Sequence, residues 1–86
     1  MGKVSVTFRV MPAGVEIDLA GVEASVRTLL GKTLKTVEVK PVAFGLKVIL
    51  ATAILDDASG GTETLEGKLS GIEGVESVEA IDVTLV

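Results

Sequence analysis

The stretch Lys40–Asp57, KPVAFGLKVILATAILDD, constrains the fold of this chain more than any other. Pro41 to Gly45 reads as a short turn. Leu46 to Leu55 follows as a run of ten residues with one charge, Lys47. A run rich in Val, Ile and Leu and bounded by turn residues predicts a strand buried on most of both faces. Ala and Leu would also permit a helix at this length. Flanking Gly45 and Asp56-Asp57, with Val48, Ile49, Thr52 and Ile54 inside, favour the strand. A strand apolar on both faces belongs in the middle of a sheet, so the other segments should lie around it.

The chain has 86 residues and reads as one domain, 1–86, with a single core. Apolar residues make up 48 % of the sequence, enough to fill that core. Cysteine and histidine are both absent. That removes disulfides, thiolate metal sites, the commonest general base and the commonest metal ligand together. The net charge is −4, and the aromatics are two Phe with no Trp or Tyr. Nucleic-acid binding needs a basic patch, and single-strand binding also needs stacking rings, so no direct nucleic-acid contact is expected. No apolar run approaches the ~20 residues of a membrane span. The first residues enter a strand pattern directly, which predicts a cytoplasmic protein.

Around the central strand the pattern is regular. Lys3 to Met11 alternates, with Val4, Val6, Phe8 and Val10 on one side. Pro12-Ala13-Gly14 ends it. Asp18 then precedes Leu19, Val22, Val26, Leu29 and Leu30, the spacing of one helix face, with Asp18 as its expected side-chain cap and Gly31 as its stop. Glu23 and Arg27 form an i,i+4 pair. Lys35 to Val39 alternates again with Val37 and Val39 inward, and Pro41 marks it as an edge strand. Asp56 to Gly61 reads as a loop. A second helix is expected from Thr62, its cap, with Leu65, Leu69 and Ile72 inward, closed by Gly71 and Gly74. Val75 to Val86 alternates, with Ile81, Val83 and Leu85 on one side and Ala80, Asp82 and Thr84 on the other.

The order strand, helix, strand, strand, helix, strand in one domain is the split βαβ pattern. It predicts an α+β, ferredoxin-like sandwich: a four-stranded antiparallel sheet with both helices on one face. The first and third strands should be central.

Groups that could carry chemistry are few. Asp56 and Asp57 could meet a divalent cation, but no further ligands stand at recognisable spacing, so no metal is expected. Gly60-Gly61-Thr62 precedes a helix start without a phosphate-loop or dinucleotide signature, so no cofactor is expected. No serine has a histidine to activate it, and no enzymatic group transfer is expected. Phe44 is different. It sits at the tip between two strands, where a large apolar residue reads as an interface anchor unless it folds back over the sheet end.

Several motifs together resemble the archaeal translation elongation factor one-beta family. They are Val-Met-Pro at 10–12, Pro-Val-Ala-Phe-Gly-Leu-Lys at 41–47, Gly-Gly-Thr-Glu at 60–63, Leu-Ser-Gly-Ile-Glu-Gly-Val-Glu-Ser-Val at 69–78 and Asp-Val-Thr at 82–84. The resemblance spans essentially the whole chain. It implies the same ferredoxin-like fold and a guanine nucleotide exchange factor that releases GDP from the elongation factor one-alpha GTPase. It also implies a partner surface: Phe44 with Gly45 and Lys47 at the turn, and the tail Asp82, Thr84, Leu85 and Val86 toward the magnesium and phosphate region of the nucleotide site. Eukaryotic relatives carry a lysine next to last in the chain. Here that position is Leu85, and no basic residue follows Lys68. Exchange should then rely on displaced switch and phosphate-binding elements, or on Lys47.

Two other classes compete. A small-ligand-sensing module would place its site near Gly60 to Thr62 or at a dimer seam. A structural interaction module would bury the open sheet face, expected to carry Ile49, Ala51, Ala53 and Leu55.

Overall fold

A computed structural model describes residues 2–42, 45–56 and 61–85. The elements are β1 (Lys3–Pro12), α1 (Leu19–Leu30), a 3-10 turn (Gly31–Thr33), β2 (Leu34–Pro41), β3 (Lys47–Asp56), α2 (Gly61–Ser70) and β4 (Val75–Leu85). All strand pairs are antiparallel, in the order β2-β3-β1-β4. The predicted ferredoxin-like arrangement is therefore present, with β1 and β3 central and Pro41 on an edge strand.

Register decides which side chains meet the helices. Val6 stands opposite Ala53, Phe8 opposite Ala51 and Val10 opposite Ile49. These residues are fully buried and join Val22, Val26 and Leu30 of α1 and Leu69 of α2 in one core. Small Ala51 and Ala53 beside Phe8 leave room for the ring, the large-beside-small pairing of a dense interior. Leu65, Ile72 and Leu29 close the rim of that core.

This register corrects one expectation. Ile49, Ala51, Ala53 and Leu55 lie on the helix side, not on the open face. The open face of β3 carries Val48, Leu50, Thr52 and Ile54 instead. A run apolar on both faces has no alternation to say which set faces the helices; only pairing with β1 decides it. The open face is mixed in character. The Thr7 and Thr52 hydroxyls lie 3.0 Å apart, and Arg9 meets Glu79 at 2.8 Å across the β1–β4 pair. That ion pair is exposed and contributes under about 1 kcal/mol.

The β4 pattern also differs from expectation. Phe8 stands opposite Ala80, but Thr7 stands opposite Asp82, so Ile81 is the extra residue of a bulge. Ala80, Val83 and Leu85 consequently share the helix side, and Asp82 and Thr84 share the open side. Simple alternation cannot register an inserted residue.

Two cap expectations change as well. The Asp18 carboxylate makes no cap hydrogen bond; its backbone carbonyl accepts from the N–H groups of Gly21 and Val22 at 3.1 and 3.2 Å. Thr62 lies inside α2 rather than ahead of it. The Glu23–Arg27 pair forms at 3.0 Å.

Candidate partner-binding site

β3 and β4 position Lys47 and Leu85 at opposite ends of the sheet, while Asp82, opposite Thr7, stands mid-strand. Lys47 opens β3 and pairs with Pro41. Leu85 closes β4 and pairs with Val4, which pairs in turn with Leu55. Lys47 and the level of Leu85 are thus eight residues apart on β3, roughly 25 Å at the usual strand rise. The molecule measures 42 × 21 × 17 Å.

At the turn end, Gly45 has φ +77°, a conformation that leaves glycine strongly preferred there. The Val42 N–H donates to the Leu46 carbonyl at 2.8 Å and closes the turn. Gly45 and Lys47 are exposed. Ala43 and Phe44 lie outside the described residues. At the tail end, Asp82, Thr84 and Leu85 are exposed, and the Thr84 hydroxyl donates to the Asp82 carboxylate at 3.4 Å. Val86 lies outside the described residues. Asp57 and Gly60, from the weaker metal and phosphate expectations, do so too. No group of His, Cys, Asp or Glu able to hold a metal ion occurs among the described residues.

The exposed large apolar side chains show more than the sequence reading named. Val83 and Leu85, toward the tail end, are 58 and 72 % exposed, and Ile81 in the mid-strand bulge is 48 % exposed. Val39 and Val42 lie toward the turn end, and Val15 is 65 % exposed on the β1–α1 loop beside it. Large exposed apolar groups gathered in patches mark contact surfaces more often than scattered ones do. Val15 follows Pro12-Ala13-Gly14, so the argument that singled out Phe44, an apolar residue on a loop, applies equally to it.

Residues 5–86 match the family model described as EF-1 guanine nucleotide exchange domain. The chain belongs to this family. An exchange-domain relative named Elongation factor 1-beta from Methanoregula boonei is 42 % identical over 85 residues, covering 99 % of each chain. One from Methanothermobacter thermautotrophicus is 39 % identical, covering 96 % of each, and one from Natronomonas pharaonis is 40 % identical, covering 96 % of this chain and 97 % of its own. The resemblance drawn from motifs along essentially the whole chain is therefore correct, and with it the functional class: guanine nucleotide exchange in translation elongation. The exchange domain implies a translation elongation GTPase as partner. Among the described residues no helix is long and apolar enough to cross a membrane.

Proposed function

We propose that residues 1–86 act as one exchange domain in the cytoplasm that binds the elongation factor one-alpha GTPase at both ends and promotes GDP release. The turn contributes Phe44, Gly45 and Lys47; the tail contributes Asp82, Thr84, Leu85 and Val86. The observation that carries this reading is the set of exposed apolar side chains toward those two ends, Val39 and Val42 near the turn and Val83 and Leu85 near the tail.

The mechanism is linkage. A partner that binds the nucleotide-free GTPase more tightly than the GDP form weakens GDP by the same factor. A thousandfold effect needs about 4 kcal/mol of differential contact. Surface contact supplies it without proton transfer or a covalent step, so the chain works as a binding protein and needs no cofactor. With the tail toward the nucleotide site, Lys47 stands roughly 25 Å away along β3 and does not reach it. Displacement of the GTPase's phosphate-binding elements then replaces displacement of magnesium by a lysine.

Stopped-flow release of fluorescent GDP from the GTPase tests the proposal. Wild-type protein should accelerate release. Phe44→Ala should keep the fold and lose about 2 kcal/mol of the effect, as removal of an aromatic anchor does. An unchanged release rate with wild-type protein present rules the function out.

A further inference from the structure

Charge is unevenly divided along this chain. Residues 1–55 hold seven of the eight basic side chains and four of the twelve acidic ones. Residues 56–86 hold the other eight acids, with Lys68 as their one base. Strand order turns this division in sequence into one in space, because β2 and β4 are the two edges of the sheet. The β2 edge and the 3-10 turn before it carry exposed Lys32, Lys35 and Lys40, with Glu38 beside Lys40 at 3.9 Å. The β4 edge and the turn before it carry exposed Glu73, Glu76, Glu79 and Asp82. α2 is tied to β4 where the Ala80 N–H donates to the Glu66 carboxylate at 3.1 Å, and it adds exposed Glu63. Glu79 is paired with Arg9. Among the described residues, Glu63, Glu73, Glu76 and Asp82 enter no ion pair.

The two edges stand three strand spacings apart, roughly 14 Å. That exceeds the ~8 Å over which salt screens charge at physiological ionic strength, so the β2 lysines do not cancel the field of the β4 edge. The net charge of −4 has the same sign as that edge. Whole-molecule and local charge therefore add at β4 and oppose each other at β2. We infer that the charge division steers association: the β4–α2 edge leads the approach to a basic surface of the translation elongation GTPase and sets the orientation in which the two meet. The inference rests on the exchange-factor reading and gives the encounter a side. A field of this sign repels phosphate backbones and anionic lipid headgroups. It also repels a second copy, since each copy carries −4 and the β2 lysines are partly offset by Glu38. Steering of this kind acts on the association rate and its salt dependence more than on dissociation.

The test is stopped-flow association of the full chain with the nucleotide-free GTPase at about 0.03 and about 0.5 M salt. The wild-type association rate should fall about tenfold or more across that range, with dissociation changing less than about twofold. The triple variant Glu63→Gln, Glu73→Gln, Glu76→Gln should associate about fivefold more slowly than wild type at low salt and equally at high salt. Lys32→Gln with Lys35→Gln, at the other edge, should not slow association at all. All five positions are exposed, so melting midpoints should match wild type. The inference fails if wild-type association is insensitive to salt, or if the acidic-edge variant associates as wild type at low salt. It fails too if the lysine variant is slowed as much as the acidic one, or if wild type sediments at low salt as a dimer that either variant dissociates. Wild-type protein that neither binds the GTPase nor accelerates GDP release at either salt defeats the exchange reading itself, a result separate from any of these.

Discussion

Gly74 holds the two halves of the fold together through its lack of a side chain. Its φ is +92°, and a Cβ there would stand 3.0 Å from Ile17 Cγ2 and 3.6 Å from Val22 Cγ2. Its carbonyl also accepts the Ala13 N–H. Gly74→Ala should therefore strain the backbone and push on Ile17, costing about 1–3 kcal/mol in urea denaturation. The glycine was legible in the sequence as a stop after the second helix. Its close approach to Ile17, nearly sixty positions earlier, was not, because only packing brings the two segments together.

At the scale of elements, the β4 bulge is where helix layer and sheet are pinned. The Ala80 N–H beside the extra residue Ile81 donates to the Glu66 carboxylate of α2 at 3.1 Å. A bulge interrupts the regular ladder, and a side-chain acceptor from above keeps this half-buried donor paired. Glu66→Ala leaves the donor without its acceptor and should cost about 1–3 kcal/mol of stability. Glu66→Gln keeps an oxygen acceptor and should recover most of that loss. Melting of Glu66→Ala equal to that of wild type would show that the contact contributes nothing. The strand was readable as a strand from its Val and Ile content. Its faces were not, since one inserted residue reverses the parity of everything after it.

For the whole molecule, the decisive quantity is the distance between turn and tail. Contacts roughly 25 Å apart with no shared neighbours should act independently. In a double-mutant cycle on GTPase binding, Phe44→Ala and Leu85→Asp should add to within about 0.5 kcal/mol. A coupling well above that would mean the two ends do not engage separate regions of the partner. The sequence by itself determined the element order, the central place of the apolar run, the helix faces and the family, because these follow from local periodicity and motif. Tertiary structure alone decided that Ile49, Ala51, Ala53 and Leu55 face the helices, that Ile81 bulges, and that turn and tail stand at opposite ends. Each of those depends on which residue of one strand stands beside which residue of another, and pairing between distant segments leaves no mark in the local pattern of either.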